Sequence, residues 1–180
     1  MQTALPVRPA QSQGGDEIVI DAPIERLWQL ISDSKMLEKW GPPVREVGRI
    51  DAPERLGSRR NIVAEMTPRG AAITAGESAT ARKRKVAHFR ELRIEHVEGR
   101  KIGYRIEEED MGMFRMITEV GFTMELESLG PRRTRVVWTF FQNPKGLAGR
   151  IMNRLFIVHQ QRKNRLGALD SLKRYAETHP

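Results

Sequence analysis

The stretch from Asn143 to Pro180 sets the terms for the rest of the chain, because it reads as one long helix. Asn143 is placed to act as N-cap, its side-chain oxygen accepting from a backbone N–H that has no partner inside the helix. Pro144 follows at the first helical position, where a fixed φ helps and a missing N–H costs nothing. No proline recurs until Pro180. Leu147, Ile151, Leu155, Val158, Leu166 and Leu169 fall at helical spacing on one apolar stripe. At 1.5 Å per residue such a helix is on the order of 50 Å long. An element of that length with one apolar side needs a large surface to bury it.

The preceding residues supply strands. Glu17 to Ile20 is a short strand with Ile18 and Ile20 on one face. Pro23 opens a helix in which Ile24, Leu27, Trp28 and Ile31 repeat at amphipathic spacing. Asp33 or Ser34 caps a second short helix carrying Met36 and Leu37, and Gly41-Pro42-Pro43 ends it after Trp40. Strands follow at Val44–Ile50, Ser58–Met66, His88–Val97 with Leu92 and Ile94 inward, and Lys101–Glu108 with Ile102, Tyr104 and Ile106 inward. From Phe114 to Leu126, Phe114, Met116, Val120, Phe122, Met124 and Leu126 alternate with polar residues, as in a strand with one wet face. Gly121 interrupts that strand and is expected to permit a bulge or bend. In the last strand Val136, Trp138 and Phe140 face in. The expected fold is α+β: a curved antiparallel sheet of about seven strands gripping the long C-terminal helix, with two short helices after the first strand.

Residues 16–178 are expected to form a single domain, and residues 1–15, rich in Gln, Pro, Gly and Ala, a flexible tail. The chain has no cysteine, which excludes disulfides and thiolate metal sites. No segment reaches the ~20 apolar residues that a membrane-spanning helix needs, and the N-terminus lacks a signal-peptide core. A cytoplasmic protein is expected. The net charge of +8 favours anionic partners without choosing among them. The run Arg82, Lys83, Arg84, Lys85 can touch an anionic membrane or RNA, or can be a solvated loop. No aromatic residues interleave with it as stacking platforms, so no specific nucleic acid is expected.

Ile20-Asp21-Ala22-Pro23-Ile24-Glu25-Arg26-Leu27-Trp28, then Asp33 and Trp40-Gly41-Pro42, resemble the opening of the helix-grip superfamily. This is the START-like (SRPBCC) group of START domains, pollen allergens and polyketide cyclase/lipid-transport proteins. Gly57 and the passage from Thr134 to Leu155 are similar too. The resemblance implies a deep, mostly apolar cavity between sheet and helix that takes a hydrophobic or amphipathic molecule. Some members carry or sense such a ligand. Others are cyclases or dehydrases that act on polyketides.

Arg162 lies at the centre of the apolar stripe by 100° counting. It can anchor an anion in the cavity, or the helix can drift past the core at that point, or Arg162 can pair with a strand carboxylate such as Glu108. Tyr104 can donate to a ligand oxygen or simply pack. His96 and His159 lie near the same face and can move protons or serve as structural residues. Phe122, Met124, Trp138 and Val158 are candidates for the apolar lining. No phosphate loop, dinucleotide fingerprint, nucleophile elbow or HExxH motif is present, so neither cofactor nor metal is expected. Ligand binding or transport is the leading reading. A polyketide cyclase/dehydrase and a basic-surface membrane or RNA module are the alternatives.

Overall fold

A computed structural model describes residues 12–41, 43–49, 51, 54–66 and 85–179. Among these, seven antiparallel strands form one sheet: β1 (Ser12–Ile20), β2 (Val44–Arg49), β3 (Arg59–Met66), β4 (Lys85–Val97), β5 (Lys101–Glu109), β6 (Ile117–Gly130) and β7 (Arg133–Pro144). Their order is β1-β7-β6-β5-β4-β3-β2. The last six strands are a meander, and the first strand closes the far edge against the last. Gly99 and Gly130 supply the left-handed backbone of the β4–β5 and β6–β7 turns.

The link from β1 to β2 carries α1 (Ile24–Ser32), a 3-10 turn (Ser34–Met36) and α2 (Leu37–Trp40). Asp33 caps the 3-10 turn by accepting from the Lys35 amide at 2.9 Å. Helix α1 buries Leu27, Trp28 and Ile31 of the face read from its spacing, and Leu30 besides, while Ile24 is partly buried. The Trp40 indole donates to the Leu30 carbonyl at 2.8 Å, which ties the two helices together.

After β7 come α3 (Gly146–Met152), a π-helical turn (Asn153–Ile157) and α4 (Val158–Thr178). Three features differ from the sequence expectation. First, Asn143 and Pro144 belong to β7, and Asn143 uses its side chain to bond Glu119 at 3.0 Å instead of capping a helix. Second, the π turn shifts the helical phase by widening one turn. Third, the stripe does not all face the sheet. Leu169 is buried, with Leu172 and Ala176 beside it, but Leu155 is 58% exposed. The residues that reach the interior further up are Gly149, Asn153 and Arg165.

The main core lies between the sheet and the C-terminal half of α4. It joins Ile20, Leu27, Leu30, Ile31, Ile102, Tyr104, Met124, Leu126 and Val136 to Leu169 and Leu172. Each fully buried Leu or Ile here is worth about 1.5–3 kcal/mol. Leu92 and Ile94 are not part of it. They form a separate cluster with Phe141, so the expectation that they face the helix is corrected. Their neighbours on β4, Glu91 and Arg93, occupy the concave side.

The first strand also starts earlier than read: residues 12–15 pair with β7 and are not part of a tail. Residues 1–11, and Arg82, Lys83 and Arg84 of the basic run, lie outside the described residues. Lys85 begins β4 and is exposed. Gly121 is not at a bulge; the register of β6 shifts instead at Ile117/Glu119 and Ser128/Gly130. No helix among the described residues is long and apolar enough to cross a membrane.

Candidate functional site

The concave face of β3, β4 and β5 carries charge where the alternation had promised hydrocarbon. Arg60 on β3 stands opposite Glu91 on β4, and Arg93 on β4 stands opposite Tyr104 on β5. All four are buried, at 5%, 7%, 1% and 1% exposed. Arg60 donates from Nε to Glu91 Oε2 at 2.8 Å and from Nη1 to Ser34 Oγ at 3.2 Å. Its guanidinium also lies 3.6 Å from the centre of the Tyr104 ring, a cation–π distance. Burial works against the Arg60 charge, but Tyr104, Glu91 and Glu54 outweigh it and hold the pKa above the ordinary arginine value.

Arg93 donates to the Tyr104 hydroxyl from Nε at 2.9 Å, and to the Ser32 carbonyl and Glu54 Oε2 from Nη2 at 2.8 and 2.5 Å. Its Nη1 lies 3.2 Å from His96 Nδ1. Glu54 sits on the loop before β3. That loop is fastened to β4 by Gly57 N–H to the Arg93 carbonyl at 2.9 Å and Arg93 N–H to the Ser58 carbonyl at 2.8 Å. Gly57 has a positive φ of 85°, which only glycine adopts without strain. Ser34 closes the network by donating to Glu54 Oε2 at 2.6 Å. Two guanidinium groups thus meet two carboxylates, which is how buried charge is tolerated.

Further along the network, His96 Nε2 approaches Glu98 Oε2 at 3.1 Å, and the Trp28 indole donates to Glu98 Oε1 at 2.8 Å. The Trp28 hydrogen bond, followed by that of His96, lowers the Glu98 pKa below the ordinary carboxylate value. Beside Tyr104 an aromatic row crosses the sheet: Tyr104 to Phe122 at 5.6 Å between ring centres, and Phe122 to Trp138 at 5.4 Å. Phe122, Trp138 and Phe140 share the inner face yet are only partly buried. Trp138 Nε1 is buried with no hydrogen-bond partner among the described residues. A groove of about 390 Å³ between α2 and the end of α4 is separate: its walls, including Trp40, Val44, Arg174 and Tyr175, contribute nothing to this network.

The fold therefore brings together Tyr104, His96, Phe122, Met124 and Trp138 of the residues read from sequence. It does not bring in the others. Arg162 is 67% exposed in its side chain and donates to Asp16 Oδ1 at 3.1 Å, so it is neither central nor paired with Glu108. The arginine that does enter the interior is Arg165, 6% exposed, one turn before the buried Leu169, while Arg162 is held on the solvent side by Asp16. His159 is exposed and Val158 is 38% exposed. Arg60, Glu91, Arg93, Ser34, Glu54, Asp16 and Arg165 were missed. A signal for the β4 pair existed: Glu91 and Arg93 alternate with Leu92 and Ile94 as cleanly as any inward set.

The model of a family described as polyketide cyclase / dehydrase and lipid transport matches residues 15–177. The chain belongs to that family. The solved structures it resembles agree on the helix-grip, START-like fold. A START superfamily protein from Mycobacterium smegmatis has a TM-score of 0.69 at 12% identity, covering 93% of this chain and 99% of that one. The Zhui aromatase/cyclase from Streptomyces sp. R1128 has a TM-score of 0.67 at 14% identity, covering 92% and 93%. A protein from Thermus thermophilus has a TM-score of 0.65 at 19% identity, covering 93% and 98%. At these identities the likeness speaks for the fold alone. No curated protein matches the chain in sequence.

Proposed function

We propose that this member of the polyketide cyclase / dehydrase and lipid transport family binds a hydrophobic or amphipathic small molecule, lipid- or polyketide-like, between the sheet and the C-terminal helix. The observation that carries the reading is Trp138. Its indole N–H is buried without an acceptor among the described residues, beside the partly buried rings of Phe122 and Phe140. A buried donor left unsatisfied costs about 1–3 kcal/mol, and a ligand oxygen recovers that cost. The half-buried rings supply apolar contact to the rest of the molecule. Arg60 and Arg93 are already matched by Glu91 and Glu54. A neutral carbonyl or hydroxyl head group therefore suits the site better than a carboxylate.

The test is displacement of anilinonaphthalene sulfonate by dodecanol and by dodecanoate, with native mass spectrometry of the protein as purified. Dodecanol is expected to displace the dye, and Trp138→Phe to weaken it on the order of tenfold, the worth of one hydrogen bond. Absence of both displacement and any co-purifying molecule would sink the reading.

A catalytic reading has one observation in its favour. The Arg93 guanidinium joins the Tyr104 hydroxyl at 2.9 Å to His96 at 3.2 Å, which sets two groups able to exchange protons in one chain. Cyclisation or dehydration of a poly-β-ketone thioester, lost in Tyr104→Phe while dodecanol binding persists, would establish it.

A further inference from the structure

Leu147, Ile151, Leu155 and Val158 stand on the outside of the C-terminal helical stretch, 75%, 50%, 58% and 38% exposed. Their orientation is fixed by what the opposite side does. A Cβ on Gly149 would lie 2.7 Å from the Met116 carbonyl, so this face of α3 rests directly on the turn before β6. Four residues on, Asn153 is 6% exposed and its side chain accepts from Gln142 on β7. Gly149 and Asn153 make the inner row. Leu147, Ile151 and Leu155 make the outer one. Met116, 39% exposed, lies beside the start of the row, held by the Lys145 amide donating to its carbonyl at 2.7 Å. Soluble monomers seldom expose an apolar row of this length without a partner for it.

Charge says what the partner is. From Lys145 to Leu169 the sequence contains no Asp or Glu. Lys145, Arg150, Arg154, Arg162 and Lys163 are all exposed along it. A second copy of the chain would set these cations against each other. A nucleic acid would answer the cations but not the leucines, and the exposed row described here holds no aromatic ring for a base to stack on. An anionic bilayer answers both, phosphates to the cations and acyl chains to the apolar row.

We propose that α3, the π turn and the start of α4 form a docking face for an anionic lipid bilayer. This face is distinct from the proposed ligand site. The full chain is tested by co-sedimentation with vesicles of phosphatidylcholine alone and of phosphatidylcholine with equal phosphatidylglycerol. It is expected to sediment with the mixed vesicles only, and to be released by added salt. The triple variant Leu147→Ser/Ile151→Ser/Leu155→Ser is expected to lose at least about tenfold in partitioning with an unchanged thermal melt, since all three side chains are exposed. Arg150→Gln/Arg154→Gln is expected to weaken sedimentation and to flatten its salt dependence. The proposal is overturned if the parent ignores the mixed vesicles, or if both variants sediment like the parent. It is equally overturned if light scattering shows a parent dimer that the triple variant abolishes.

Discussion

Arg165 on α4 donates to Asp16 on β1 at 2.7 Å, with both side chains below a tenth exposed. Arg162, one turn earlier, takes the other oxygen of the same carboxylate from the solvent side at 3.1 Å. One buried pair and one exposed pair therefore share an acid, and they differ in what removal costs. Arg165→Ala removes the buried partner of Asp16 Oδ2, leaving the acid only its solvent-side contact with Arg162, and is expected to destabilise the fold by about 3 kcal/mol. Arg162→Met is expected to cost no more than about 1 kcal/mol. The joint change Asp16→Leu/Arg165→Met is expected to recover most of the loss, because a well-packed apolar pair replaces a buried ion pair at little cost. Urea unfolding of the variants checks all three, and equal effects at 162 and 165 would contradict the assignment.

Gly121 is required for close approach. A Cβ there would fall 2.5 Å from the edge of the Phe141 ring and would also clash with the Tyr104 carbonyl. Pairing between β5 and β6 reaches only as far as Arg105 and Gly121. Gly121→Ala is expected to push the two strands apart and to cost about 1–3 kcal/mol, the usual range for overpacking. Combining it with Phe141→Leu is expected to relieve part of that, read as a partial return of the melting midpoint.

Glu98 ties α1 to the β4–β5 turn, and its pKa is held below 4.5 chiefly by the Trp28 indole and then by His96. A carboxyl whose folded pKa is depressed contributes stability above its unfolded value, and that contribution disappears as pH falls through the folded value. Glu38, through Lys35, and Asp110, through His88, shift in the same direction and add to the loss on the acid side. Glu98→Gln keeps an oxygen for Trp28 but does not titrate. Its melting midpoint is expected to fall less than the parent's between about pH 6 and about pH 3. Parallel curves would show that the Trp28 contact is not linked to the proton.

The elements read from the sequence are those whose signal is local. The Leu27, Trp28 and Ile31 spacing of α1 and the Phe122, Met124 and Leu126 alternation of β6 appear where expected. Tyr104, Phe122 and Trp138 share the concave face because strand alternation alone puts them there. The polar half of the site was not legible. β4 offers two faces, Leu92 with Ile94 and Glu91 with Arg93, and hydrophobicity favours the first. The second wins because Arg60, Tyr104, Ser34 and Glu54, drawn from four separate places in the chain, satisfy those charges when they face in.

By itself, then, the sequence determined the helix-grip arrangement: a period of two for the strands, a helical period at each end, and turn residues between them leave little other choice. Tertiary structure alone decided which arginine entered and which leucines stayed out. The π turn at Asn153–Ile157 adds a residue to one turn and rotates all that follows. Gly149 and Asn153 then hold this stretch to the sheet by its small and polar side, because only a glycine fits against the Met116 carbonyl and the Asn153 side-chain oxygen accepts from Gln142. A periodicity counted along a regular helix has no access to that shift, so it sends Leu155 inward, and it has no access to Asp16 either, which holds Arg162 on the solvent side. The folded chain places Arg165 on Asp16 and leaves the leucines facing out.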